Sequence, residues 1–151
     1  MKERCFVKKV VFVFCIVVLF VAASVASAQK TYPNPVLVFS GAEPYTASGG
    51  QFMRYKYFVF NSDVYPDALF AAAPTLPPCG ANTNSARTWV DLFTSTGKRL
   101  YGFCALGRAS DLNTIWFGLP VEEIPPSYIY IEMNDRQENK KYKSNLADTV
   151  M

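Results

Sequence analysis

The stretch TWVDLFTSTGKRLYGFC, residues 88–104, decides the fold class because it is typical of two short strands joined by a turn. Aromatic and β-branched residues dominate both arms, and Gly97 supplies the positive φ that a tight hairpin turn requires. Similar strand patterns recur in PVLVFS, QFMRYKYFVFN, NTIWFGLP and SYIYIEMND. The sequence therefore predicts a protein built from β-strands, with hardly any helix.

The number and spacing of these strands indicate an all-β fold. Six or seven short strands alternate with turns rich in Gly, Pro and Asn, which predicts a single antiparallel β-sandwich, with a small barrel as the alternative. Residues 62–86 contain four prolines and no sustained period of two, so we expect a long crossover loop with at most one helical turn. The loop GRASDLN follows the hairpin, and residues 141–145 could add an edge strand.

The first 28 residues have the composition of a secretory signal peptide. Lys2, Arg4, Lys8 and Lys9 precede an apolar run over residues 10–23, and Ala26-Ser27-Ala28 follows as a small-residue cleavage site. A transmembrane anchor is the alternative, but the run is shorter than the roughly 20 residues that span a bilayer. We expect cleavage after Ala28, no membrane attachment afterwards, and a secreted or extracytoplasmic destination.

The remaining chain is expected to form one domain. Residues 29–34 predict an N-terminal arm, residues 35–146 the β-sandwich, and residues 147–151 a frayed C-terminus. Four of the 15 Lys and Arg and one of the 12 Asp and Glu belong to residues 1–28, which leaves 11 of each. A neutral domain has no basic excess to attract nucleic acid.

Two cysteines, Cys79 and Cys104, lie outside the signal peptide. In an exported protein such a pair most often forms a disulfide. Closing a loop of this length should stabilise the fold by roughly 3.5 kcal/mol in the chain-entropy model. The sequence contains no histidine that could activate either thiol. We therefore predict that Cys104 holds the hairpin in place and performs no chemistry.

The absence of histidine also excludes several classes of site from this chain. Ser-His-Asp and Cys-His catalysis and zinc sites built on imidazole cannot be assembled from it. A hydrolase that uses carboxylates alone stays formally open, but no spacing of acidic residues indicates one. Asp63 and Asp67 are a weak calcium candidate. We expect no enzyme activity, no cofactor and no dedicated metal site.

The strands sort into an aliphatic and an aromatic face, because alternate side chains of a strand point to opposite sides. The expected core face is Ile129, Ile131 and Met133 in SYIYIEMND and Ile115, Phe117 and Leu119 in NTIWFGLP. In the hairpin, Val90 and Leu92 match Leu100, Cys104 and Leu106 as the expected core face, and Trp89, Asp91, Phe93, Arg99, Tyr101 and Phe103 are expected opposite. Aromatic residues and Arg dominate binding hot spots. The candidate contact surface is Trp89, Asp91, Arg99, Tyr101, Trp116, Tyr128, Tyr130 and Glu132. The same residues are also ordinary strand residues, and residues 62–86 could cover them.

The succession from PVLVFS through RTWVDLF and KRLYGFCAL to PPSYIYIEMNDR resembles fibronectin type III and immunoglobulin-like sandwiches that occur as secreted modules. The resemblance covers about residues 35–146 and implies a β-sandwich. Cys79, Trp89 and Cys104 are closer together than the corresponding residues of a true immunoglobulin domain. A disulfide here would tie the crossover loop to a neighbouring strand.

These observations together favour a secreted, non-catalytic binding module. Its partner would be a carbohydrate or an extracellular protein, recognised by the aromatic face. The alternative is a structural subunit whose aromatic face is buried in a homo-oligomer or a larger extracellular assembly.

Overall fold

A computed structural model describes residues 31–47 and 49–150. The proposed signal peptide and cleavage site therefore lie outside the described residues. Eight strands follow one another in the described residues: β1 (Leu37–Ala47), β2 (Gly50–Val59), β3 (Thr88–Thr94), β4 (Arg99–Phe103), β5 (Ile115–Pro120), β6 (Tyr128–Asp135), β7 (Lys140–Lys143) and β8 (Ala147–Asp148). Three 3₁₀ turns cover Ser62–Val64, Asp67–Leu69 and Ala109–Thr114. The prediction of an all-β fold is confirmed, with one more strand than expected.

The strands form two antiparallel sheets. The first sheet has the order β1-β2-β5, and the second has the order β4-β3-β6-β7, with the short β8 also paired to β6. The connection between β4 and β5 passes from the second sheet to the first through Ala109–Thr114. This crossing places β4 and β5 at the ends of their respective sheets.

One apolar core contains residues of both sheets, as in a β-sandwich. Every second residue of β3 and β6 is buried, so that Val90, Leu92, Ile129, Ile131 and Met133 contribute to it from the second sheet. The first sheet contributes Leu37, Tyr55, Tyr57, Val59, Ile115 and Phe117. Burial of each such side chain stabilises the fold by about 1.5–3 kcal/mol. The aliphatic face was thus predicted correctly in β3, β5 and β6.

The first half of the long crossover loop is packed into this core. Tyr65, Leu69 and Phe70 are buried in the core cluster. The hydroxyl of Thr88 donates to the Leu69 carbonyl at 2.5 Å. The predicted helical turn is present as Asp67–Leu69. The segment GRASDLN was predicted to be a loop, but most of it belongs to the 3₁₀ turn Ala109–Thr114. This turn places Leu112 in the core, where it is fully buried.

Two sets of contacts attach the C-terminal segment to the rest of the domain as far as Thr149, within the range 147–151 that the sequence predicted to be a frayed end; Met151 lies outside the described residues. Ala147 is buried and pairs with Ile129, and Thr149 donates its hydroxyl to the Pro126 carbonyl. Asn145 ties this segment to β1: its Oδ1 accepts from the Leu37 amide at 2.8 Å, and its Nδ2 donates to the Leu37 carbonyl at 3.0 Å. These bonds close one side of the sandwich.

A buried ion pair supports the end of β6. Arg87 donates from Nε to Oδ1 of Asp135 at 2.9 Å and from Nη2 to Oδ2 at 2.6 Å. Asp135 also accepts the backbone amides of Gln137 and Glu138. Burial raises the pKa of Asp135, but these hydrogen bonds outweigh burial, so its pKa lies below the usual value.

Candidate functional site

The outer face of the second sheet carries alternating charged and aromatic side chains. Because paired residues of antiparallel strands point to the same side, the register places Trp89, Asp91 and Phe93 of β3 beside Asn134, Glu132 and Tyr130 of β6. Lys141 and Lys143 of β7 extend this row. The candidate residues Trp89, Asp91, Tyr130 and Glu132 therefore share one face.

Cross-strand contacts hold this row in place. The Arg99 guanidinium lies 2.6 Å from the Asp91 carboxylate, and the Lys141 ammonium lies 2.7 Å from Glu132. The rings of Phe93 and Tyr130 stack with centroids 5.2 Å apart, and Lys143 lies 4.0 Å from the Tyr130 centroid. Glu132 raises the pKa of Lys141 by hydrogen bonding and charge attraction. This half of the face is satisfied internally and is well explained by sheet stability.

On the part of this face that borders β4, Trp89, Asp91 and Arg99 surround Gly102. Gly102 lies opposite Asp91 on the outer side. A methyl group added there would lie 2.8 Å from Nε1 of Trp89 and 2.9 Å from Oδ1 of Asp91, and it would collide with the Arg99 guanidinium. The absence of a side chain at Gly102 therefore lets three polar groups converge on one point.

The Trp89 indole is incompletely satisfied at this point. Its Nε1 is buried and has no hydrogen-bond acceptor within the part of the chain that the structure describes. The guanidinium carbon of Arg99 lies 5.3 Å from the Trp89 ring, and the Arg99 side chain is half exposed. A buried donor without an acceptor costs about 1–3 kcal/mol. Displacement of the half-exposed Arg99 side chain would open the indole N–H to an incoming oxygen.

A cleft of about 480 Å³ adjoins this group. One wall is the turn at residues 79–82, and the other is the end of β4 with residues 104–106. Gly80 forms that turn with a φ of 52° and lies against the Trp89 ring. The side chains that border the cleft include Trp89, Arg99, Tyr101 and Phe103. A cleft of this size can hold a small polar ligand against an aromatic wall.

Cys79 belongs to the first of these walls and Cys104 to the second, and both are buried. The Cys104 Sγ donates to the Cys79 carbonyl at 3.6 Å, and Arg136 Nη1 donates to the Cys79 Sγ at 3.0 Å. Burial, followed by the contact with Cys104, raises the pKa of Cys79 to about 11. The two residues are neighbouring unbonded thiols in this structure, so the predicted disulfide is not confirmed.

Two candidate residues do not lie on this outer face. Tyr101 pairs with Leu92, whose side chain is in the core, so Tyr101 and Phe103 point toward the first sheet. The register shifts by one residue between Leu92 and Phe93, and simple alternation through the hairpin fails there. Trp116 belongs to β5 and lies on the outer side of the first sheet, opposite Lys56. The predicted single surface is therefore two surfaces.

A second aromatic group surrounds Trp116. Arg54 lies between Tyr45 and Trp116, with its guanidinium carbon 4.6 Å from each ring centroid. Phe52 stacks on Tyr45 at 5.5 Å, and Tyr101 stacks on Trp116 at 6.3 Å. We missed Tyr45, Phe52 and Arg54 from the sequence. Separating alternate residues of QFMRYKYFVF would have placed Phe52, Arg54 and Lys56 on one face.

The remaining candidates have smaller roles. Tyr128 lies at the exposed start of β6, beside Asp148. Asp67 accepts the Ala109 amide at 2.9 Å, so its carboxylate holds the turn Ala109–Thr114 to the crossover. Residues 31–47 and 49–150 contain no group of three or more side chains suited to hold a metal ion.

Comparison with known proteins provides no relative. No family model matches the chain, and no curated protein and no solved structure matches it. None of the helical turns in the described part of the chain is long and apolar enough to cross a bilayer.

Proposed function

We propose that this protein is an exported, non-catalytic module that binds a carbohydrate in the cleft beside Trp89. The observation that carries the proposal is the convergence of the unpaired Trp89 indole N–H, the Asp91 carboxylate and the Arg99 guanidinium over Gly102. Sugars present apolar ring faces and hydroxyl groups, which match an aromatic wall and paired donors and acceptors.

The binding step follows from these contacts. A sugar hydroxyl accepts the indole N–H of Trp89 and donates to Asp91, while Arg99 moves aside and donates to a second oxygen. The buried donor then gains the acceptor that it lacks in the free protein. No nucleophile or general base with a shifted pKa is needed, because no bond of the ligand breaks.

Export and the disulfide form part of the same proposal. The signal peptide would deliver the chain to an oxidising compartment, where a disulfide oxidant accepts the two electrons and two protons that the thiols lose. The proximity of Cys79 and Cys104 supports this pairing. The fold would then be a fibronectin type III-like sandwich. The pairing of the fourth strand with the third, in the second sheet, supports this variant over a constant-type immunoglobulin arrangement.

A self-associating subunit is the second candidate function. Strand β4 lies at one edge of the second sheet and β5 at one edge of the first, and Tyr101 of β4 is 51% exposed. Unprotected end strands can pair with another copy of the chain. Sedimentation at increasing concentration tests this: a monomer at all concentrations would exclude it.

The carbohydrate proposal is tested with residues 29–151 on immobilised polysaccharides. We expect Trp89→Ala to abolish retention while its circular dichroism stays that of the wild type. Phe60→Ala is the matched control, because it removes an exposed aromatic side chain that borders neither this cleft nor the surface around Trp116. Retention that is unaffected by Trp89→Ala, or no retention on any polysaccharide, would contradict the proposal. A protein extract that retains the module through Trp89 would indicate a protein partner instead.

A further inference from the structure

We propose that the ligand is an acidic glycan, whose carboxylate or sulfate group binds Arg54 and Lys56 while another sugar unit of the same oligosaccharide occupies the cleft beside Trp89. This inference rests on the proposed function and adds a second contact site and a charge to it. Two observations support it: the contact between Tyr101 and Trp116 joins the two sites, and Arg54 and Lys56 share a single carboxylate, that of Glu43.

Tyr101 connects the two sites. It borders the 480 Å³ cleft beside Trp89, and its ring lies nearly parallel to Trp116, at 22° between planes and 6.3 Å between centroids. Trp116 in turn borders a second cleft of about 330 Å³ with Arg54 and Lys56. Residues of the two clefts are thus in direct contact across the margin between β4 and β5.

The cations in the second cleft outnumber the acids that they contact. Glu43 is shared by Lys56, at 2.7 Å, and by Arg54, at 3.6 Å. The hydrogen bond from Lys56, followed by charge attraction, lowers the pKa of Glu43, so this carboxylate is ionised at neutral pH. Two cations against one carboxylate leave one surplus positive charge. The distance from Arg54 to Glu43 exceeds that of a hydrogen bond, so the guanidinium keeps donors free for a second oxyanion.

Arg54 is also preorganised. Its guanidinium lies in the corner that the Tyr45 and Trp116 rings form at 77° to each other, 4.6 Å from each centroid, and its Nε is buried with no acceptor in residues 31–47 and 49–150. Tyr45 can take this position because its ring lies over Gly118, where a side chain would collide with it. A guanidinium that already contacts two rings loses less freedom on binding than a fully solvated one, and its planar fork can donate two hydrogen bonds to a carboxylate or sulfate.

Ser40, Asn113 and Thr114 border the same cleft and provide hydroxyl and amide groups around the cations. Such groups suit the hydroxyls of a sugar that bears the acidic substituent. The combination of aromatic rings, neutral polar groups and a net positive charge is specific to an acidic sugar rather than to an isolated inorganic anion.

The test compares two forms of one oligosaccharide, an oligogalacturonate with free carboxylates and the same chain fully methyl-esterified. We expect the free acid to bind at least about tenfold more tightly at low salt, since charge-assisted hydrogen bonds are the strong ones. Raising the ionic strength should reduce that advantage. A sulfated oligosaccharide, as a third probe, tells whether sulfate can replace carboxylate.

Variants connect the effect to the proposed residues. Arg54→Gln and Lys56→Gln should each weaken binding of the free acid about tenfold and leave the affinity for the methyl ester unchanged. Lys56 is the less packed of the two residues, so its substitution disturbs the fold less. Lys98→Gln, in the exposed hairpin turn, is the matched loss of charge and should change nothing. Equal binding of acid and ester with dependence on Trp89 would overturn this inference and leave the proposed function standing. If none of these probes binds, the inference of an acidic glycan is wrong. If no polysaccharide is retained through Trp89, the proposed function is wrong as well.

Discussion

The ring of Tyr101 stacks on that of Trp116 across the margin between the two sheets, with centroids 6.3 Å apart and 22° between the planes. Tyr101 comes from an end strand of the second sheet and Trp116 from an end strand of the first. This contact joins the two candidate binding surfaces. We expect Tyr101→Ala to separate them: it should weaken binding of a long oligosaccharide by about tenfold and change binding of a single sugar unit much less. Titration calorimetry with both ligands measures the difference, and an equal loss for both would contradict the connecting role.

Substitution of Gly102 should weaken ligand binding without preventing folding. A methyl group in Gly102→Ala meets Trp89, Asp91 and Arg99 and must displace the exposed Arg99. Because Trp89 and Asp91 must also shift, the free energy of unfolding should fall by about 1–3 kcal/mol while the fold is kept. Binding should fall at least about tenfold, since the three converging groups are separated. Gly107→Ala, where the nearest atom is 3.8 Å away, is the matched control.

The ion pair between Arg87 and Asp135 should account for most of the decrease in the free energy of unfolding at low pH. Removing the cation in Arg87→Met leaves the buried Asp135 carboxylate without its main partner, at a cost of about 3–5 kcal/mol. Since the pKa of Asp135 is lower in the folded than in the unfolded protein, its contribution is present above the unfolded pKa, near 4, and is lost as pH falls through the folded pKa. Urea unfolding of both proteins between pH 7 and pH 2 tests this. The two curves should converge toward low pH, and a constant separation would be inconsistent with the pair as the cause.

The two cysteines should behave differently in their two oxidation states. With the pKa of Cys79 at about 11, only about one part in a thousand of its thiol is ionised at pH 8, so a thiol reagent should label the reduced, folded protein slowly. Oxidation should raise the free energy of unfolding by roughly 3.5 kcal/mol. Mass spectrometry after alkylation, together with denaturant titrations of both forms, measures this. Rapid labelling of the folded reduced protein would contradict the burial of this thiol.

Asn145 should be important for holding the C-terminal segment to β1. In Asn145→Ala, the amide and carbonyl of Leu37 both lose their side-chain partner, which should cost about 1–3 kcal/mol. Hydrogen exchange of the Leu37 amide should accelerate, while that of Ile131 in the centre of the second sheet should change little. Equal acceleration at both amides would indicate global unfolding instead of a local opening.

The alternation of side chains predicted the core of β3, β5 and β6 because each of these strands keeps an unbroken period of two. It failed at Tyr101, since a one-residue register shift beside Phe93 moves the following strand to the opposite face. It also failed to separate Trp116 from Trp89, because alternation within a strand carries no information about which sheet contains it. Burial of Ala147 and Thr149 was missed because their contacts come from residues distant in the sequence.

The most direct measurement is the response of the Trp89 indole N–H in a nitrogen-proton correlation spectrum. The chain has two tryptophans, so Trp116→Phe assigns the two indole signals. On titration with the oligosaccharide retained in the polysaccharide experiment, we predict a large shift of the Trp89 indole signal as its N–H gains an acceptor. An oligosaccharide that binds while this signal does not move would contradict the assignment of the cleft beside Trp89 as the binding site.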